Sequence, residues 1–167
     1  MAATINLREW NGAVLSPTKT IKTTGTILPR ANDSPAVDSL SPVPIPKSGL
    51  SRSYEKWLRF AIGSTGPAGN ISNLAFFTDG ANLFGLGITL LAGADDTYAL
   101  PVITASPVAV TDIVTYVAGN VLSLGAGPFT GANADIGLFC VLQAVVAPTA
   151  AEGLSGAVIP SFVYDET

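Results

Sequence analysis

Asp95-Asp96 is the only acidic pair upstream of the C-terminus, and it is the first place where carboxylate chemistry could sit. Paired carboxylates can cleave glycosidic bonds or hold calcium. Neighbouring residues at a strand end point to opposite sides, however, and no Asp-x-Asp-x-Asp-Gly loop surrounds the pair. The pair reads as a solvated turn. Cys140 is the lone cysteine and lies inside the apolar run Ile136 to Leu142, which reads as a small buried hydrophobe rather than a nucleophile. The chain has no histidine, so His-based triads, His-ligated metals and imidazole bases are all absent.

The glycine-rich segments carry no complete motif either. Gly63-Ser64-Thr65-Gly66-Pro67-Ala68-Gly69 lacks the Gly-Lys-Ser/Thr of a phosphate cradle and reads as a hairpin loop. Gly85-Leu86-Gly87 lacks the third glycine of a dinucleotide fingerprint. Gly153-Leu154-Ser155-Gly156 is not a nucleophile elbow, and no histidine could activate Ser155. No cofactor, no metal and no enzymatic activity are expected.

The elements behind these residues must be read from composition and spacing. The 167 residues (17.0 kDa) suit one domain with one sizeable core. Only 12% of residues are charged while 48% are hydrophobic, which argues against disorder. The charges are also segregated. The first 59 residues carry all eight cations and four anions, net +4, and the remainder carries eight anions and no Lys or Arg. A duplex-binding protein needs clustered cations, so no nucleic acid partner is expected. The longest apolar stretch, Ala81 to Ala94, is interrupted by glycines and falls short of the roughly 20 residues of a membrane span. The N-terminus lacks the basic-then-apolar order of a signal peptide, so a soluble, cytoplasmically made protein with no membrane partner is expected.

Residues 28–50 stand apart, with five prolines and four serines among them. Such spacing favours an extended path over helix or central strand. We expect residues 1–50 to form an extended N-terminal arm lying across a neighbouring subunit. Downstream, short apolar runs alternate with turn signals: 70–78, 83–91, 97–104, 109–117, 121–124, 136–146 and 157–164. That pattern predicts an all-β domain over 51–167, an antiparallel β-sandwich of jelly-roll or Ig-like type. Residues 53–61 are ambiguous. Tyr54, Trp57, Leu58 and Ala61 have helical spacing, while Leu58, Phe60 and Ile62 alternate; the surroundings favour a strand. Trp10, Tyr54, Trp57, Phe76, Phe77, Phe84 and Phe139 suit a core or subunit interface better than a sugar-binding surface.

Ser53-Tyr54-Glu55-Lys56-Trp57-Leu58-Arg59-Phe60 and Ile71 to Gly80, together with Val141 to Val145 and the closing Pro160 to Glu166, resemble segments of small virion proteins of tailed bacteriophages. The resemblance spans residues 51–167 and implies a β-sandwich structural subunit that acts by assembly. It points to a capsid decoration (cement) protein on the virion surface. Its partners would be the major capsid protein and copies of itself in a dimer or trimer. Arg8, Trp10, Lys19, Lys22, Arg30 and Lys47 are the expected partner-binding residues of the arm. A tail, neck or fibre subunit is the alternative, and a carbohydrate-binding module using exposed Trp or Tyr, with Trp57 as the test position, is a more distant one.

Overall fold

The computed structural model describes residues 3–22, 29–36, 41–64, 70–82, 84–132, 134–152 and 160–166. The protein is all-β, and every strand pairing is antiparallel. The described residues form ten strands: β1 Thr4–Asn11, β2 Thr18–Ile21, β3 Ser51–Arg52, β4 Lys56–Ser64, β5 Ile71–Phe77, β6 Ile88–Asp95, β7 Thr111–Asp112, β8 Leu122–Gly125, β9 Asp135–Val146 and β10 Ser161–Glu166. The larger sheet runs β2-β1-β4-β9-β6-β7, with β3 added beside the end of β9. The smaller sheet runs β10-β5-β8. Among the described residues no helix is long and apolar enough to cross a membrane.

Period-two alternation places the main core between the sheets. Leu58, Phe60 and Ile62 of β4 join Ile136, Cys140 and Leu142 of β9 on one face of the larger sheet. Ile71, Leu74 and Phe76 of β5 and Leu124 of β8 meet them from the smaller sheet. Phe162 of β10 closes over this cluster, its ring 5.1 Å from Phe76 and 5.8 Å from Phe60. The sheets approach closely at Gly137, which has φ +70°; a Cβ there would lie 2.5 Å from the Leu124 carbonyl oxygen. A side chain at this point would force the sheets apart.

The opposite face of the larger sheet is covered as well. Trp57, Phe139 and Val141 form a second cluster with Tyr98 and Val108, which arrive on the loop after β6. Gly93 lets this loop pass, because a Cβ there would stand 2.4 Å from the Ala109 carbonyl oxygen. Gln143 pins the loop from the sheet. Its Nε2 donates to the carbonyls of Ser53, Val102 and Thr104, and its Oε1 accepts from the Ser106 amide.

Burial on both faces explains why residues 53–61 read two ways. Apolar residues occupy both parities of β4, and two overlapping alternations mimic helical spacing. The segment is a strand from Lys56 onward, after an irregular stretch at 53–55. Strands also appear where expected at 71–77, 122–125 and 135–146.

Several local expectations are corrected. Residues 97–104 form no strand, and 109–117 shrinks to β7 followed by a short 3-10 turn at Ile113–Thr115. Pro101 and Pro107 remove amide donors there, and the Gln143 side chain takes over pairing that a neighbouring strand would otherwise supply. The strand expected at 83–91 starts only at Ile88, after the positive-φ residues Gly85 and Gly87, and runs on to Asp95. Strands β4 and β5 lie in different sheets, so the segment between them is a crossover and not a hairpin; residues 65–69 themselves lie outside the described residues, as do 157–159 of the expected last strand and Ser155.

The N-terminal third is corrected too. β1 pairs with β4 from Thr4 to Trp10, and β2 pairs with β1, so residues 4–21 are part of the larger sheet. The described parts of the proline-rich segment, 29–36 and 41–50, hold no strand or helix, as their prolines dictate. Residues 29–36 nevertheless fold back onto their own chain: the Tyr54 amide donates to the Arg30 carbonyl at 2.8 Å.

Candidate functional site

The six cationic and aromatic positions expected to form one binding arm are distributed over three places. Arg8, Trp10 and Lys19 come together on the outer face of the larger sheet. Arg8 and Lys19 both bond Asp135, at 2.8 and 2.5 Å, and the Lys19 ammonium lies 3.9 Å from the Trp10 ring centre. This follows from register. Trp10 pairs with Lys19 across β1–β2, and Arg8 sits beside Arg59 across β1–β4.

Lys22 and Arg30 are elsewhere and buried. The Lys22 Nζ is 2.6 Å from Glu9 Oε2 and donates to the Pro35 carbonyl. Arg30 donates from Nε to Asn32 Oδ1 and from a terminal nitrogen to the Ala36 carbonyl. These two side chains serve the protein's own interior rather than a partner, because a buried cation must find its anions and acceptors nearby. Lys47 is exposed, on the stretch 41–50 that holds no strand or helix.

The outer face carries an aromatic quartet. Trp57 stands edge-on to Tyr98 and Phe139 with centroids 5.5 Å apart, and Trp10 packs on Phe139 at 4.9 Å. Edge-to-face rings of this kind exceed plain area burial in stabilising effect. The Arg59 guanidinium lies 4.7 Å above the Phe139 ring, and burial lowers its pKa against the opposing pull of Asp135 and Asp96. Trp57 is wholly buried, with Nε1 donating to Glu55 Oε2 at 3.0 Å, so it offers no stacking face to a sugar. Asp95 and Asp96 cap a turn through the amide and hydroxyl of Thr97. Cys140 is fully buried, and burial pushes its thiol well above the usual range.

Tyr98 links this quartet to the β1–β2 turn by donating from Oη to the Gly12 carbonyl at 2.8 Å. Burial raises the phenol above its ordinary 10.0, and Asp33 and Glu55 add to the shift. A raised folded-state pKa means the unfolded chain ionises first. The contribution is therefore complete below pH 10 and is lost as pH climbs through the folded value. Tyr98→Phe should cost about 1 kcal/mol at neutral pH, the worth of one hydrogen bond. The gap between wild type and variant should then shrink above pH 10. Urea unfolding at stepped alkaline pH checks this, and subtraction removes the parallel effect of Cys140; a gap that stays constant would show the phenol is not so held.

A second cluster, which inspection for motifs did not single out, lies at the end of the main core. Glu9 accepts from the Lys56 Nζ at 2.9 Å through Oε1 and pairs with Lys22 through Oε2. Asn11 Nδ2 donates to Glu9 Oε1 and to Asp33 Oδ1, and Asp33 Oδ2 takes the Gly12 amide at 2.7 Å. Lys56 also donates to the Ser34 carbonyl. A signal for it was present in the alternation. Ile5, Leu7, Glu9 and Asn11 share one face of β1, and Lys56 shares a face with Leu58, Phe60 and Ile62. Polar residues continue two apolar stripes at the same end.

Comparison of the sequence and fold with protein families, characterised proteins and solved structures gave no match.

Proposed function

We propose that this chain is a decoration (cement) subunit of a tailed-phage head, a β-sandwich that binds major capsid protein and copies of itself. The observation that carries the reading is where its exposed apolar side chains lie. Leu15 is 99% exposed at the tip of the β1–β2 turn, and Leu86 is 82% exposed on the turn before β6. Leu50, Leu100 and Ile103 are exposed on other loops. Single exposed apolar residues are ordinary, but a leucine held out on a tight turn gives the fold nothing. Repeated in a symmetric lattice, such tips give avidity from contacts that are individually weak. The exposed carboxylates Asp79, Asp96, Glu152 and Asp165 add acidic surface to this, while Asp135 is taken by Arg8 and Lys19. The resemblance of residues 51–167 to small phage virion proteins supports the same reading.

Removing residues 1–50 would delete β1 and β2, so point variants are the proper test. Leu15→Asp and Leu86→Asp should fold normally. Burying one leucine contributes about 1.5–3 kcal/mol, so each should weaken binding to undecorated heads by roughly 10- to 100-fold in co-sedimentation. Variants that decorate heads like wild type defeat the proposal. Few copies, located at the neck or tail by imaging of labelled particles, would establish the alternative of a neck, tail or fibre subunit.

A further inference from the structure

The buried cluster holds an amine, a carboxamide and a carboxylate in a reactive order. The β1–β4 register ends with Trp10 paired to Trp57, and continuing it by one step would set Asn11 opposite Lys56. Directly opposed residues on one sheet face have Cβ atoms about 4.5–5.5 Å apart. A lysine is long enough to fold back over that gap. Lys56 Nζ and Asn11 Nδ2 hydrogen-bond to the same atom, Glu9 Oε1, at 2.9 and 3.2 Å. All three residues are buried, and Asn11 Oδ1 is a buried carbonyl oxygen with no hydrogen-bond partner. The Asn11 amide nitrogen is thus bonded to carboxylates while its carbonyl oxygen is left unpartnered beside the amine.

We propose that Lys56 and Asn11 become joined by an intramolecular isopeptide bond, with Glu9 as the proton carrier. The Nζ lone pair attacks Asn11 Cγ, and Glu9 Oε1 accepts the proton that Nζ sheds. Glu9 returns that proton to Nδ2 as the Cγ–Nδ2 bond breaks, and ammonia leaves. One amide replaces another, so no oxidant, reductant or cofactor is required. A carboxylate oxygen already touching both nucleophile and leaving group is placed for both transfers.

The nucleophile must be a neutral amine. Desolvation lowers the Lys56 pKa, the Lys22 charge acts in the same direction, and Glu9 and Asp33 oppose it. Lys22 also balances the Glu9 carboxylate, at 2.6 Å, once Lys56 is discharged. The bond would close residues 11–56 into a covalent ring, holding β1, β2 and the proline-rich segment to β4. Closing a ring of that size restricts the unfolded chain.

The test is the intact mass of the purified full-length protein, followed by peptide mapping. The expected mass is lower than that of the sequence by one ammonia, and the digest should contain a branched peptide joining Lys56 to Asn11. Asn11-Gly12 could lose ammonia by another route, attack of the Gly12 amide to give a succinimide, although that amide is held by Asp33. Lys56→Arg separates the two, since it removes the branch and leaves a succinimide untouched. Glu9→Gln should restore full mass. An unmodified wild-type mass after prolonged incubation overturns the proposal, as does ammonia loss with no branched peptide. The wild-type digest decides the matter even where a variant fails to fold.

Discussion

Glu9→Ala should be among the most destabilising single substitutions in this protein, lowering unfolding free energy by about 3–5 kcal/mol. Glu9 is buried between Lys22 and Lys56, at 2.6 and 2.9 Å from their ammonium nitrogens. Its removal leaves two cations in the interior without their shared anion, and Asn11 without one acceptor. Each uncompensated charge must draw in water or give up its proton. For a chain of this length the loss corresponds to a melting temperature lower by roughly 10 °C or more. Replacing Glu9, Lys22 and Lys56 together by apolar residues of similar size should do less harm, because no charge is then left alone. Urea midpoints of the single and triple variants measure the contrast. A Glu9→Ala protein as stable as wild type would show that the cluster is hydrated rather than buried.

Trp57→Ala should cost a similar amount, about 3–5 kcal/mol, for a different reason. The indole is completely buried between the sheet and the covering loop, against Tyr98 and Phe139. Truncation leaves a large cavity on a face where Val141, paired with Trp57 and Gly93, and Phe139, paired with Asp95, are fixed by the sheet and cannot collapse into it. It also takes the Nε1 donor from Glu55 Oε2, which keeps the Val102 amide. Trp57→Phe should be milder, retaining most of the packing. Denaturant midpoints distinguish the two, and equal stability of Trp57→Ala and wild type would mean the loop does not seal this face.

Some of this was legible without coordinates. Leu58, Phe60 and Ile62 alternate as strand residues must, and Asp79-Gly80 follows β5 with Gly80 at φ +80°. The prolines of 28–50 ruled out regular structure there, and the described residues of that segment have none. The cluster around Glu9 was half legible, since a carboxylate continuing the stripe of Ile5 and Leu7 must be buried with partners. Which partners it has depends on β1 lying beside β4 in one register, and no local pattern encodes that choice.

The charge segregation shows where local reading ends. Eight cations in the first 59 residues suggested an arm reaching for a partner. In the folded protein Arg8 and Lys19 meet Asp135, more than a hundred residues away, while Lys22 and Lys56 meet Glu9 inside the core. Sequence alone determined the class of the fold, because period two, turn residues and proline chemistry act over a few neighbours. It also determined that Cys140 is buried, from the apolar run around it. Tertiary structure decided which face each strand presents, that the loop after β6 covers Trp57, and which charges neutralise one another. Those outcomes rest on pairings between strands distant in the chain, where a shift of one residue exchanges the two faces of a sheet.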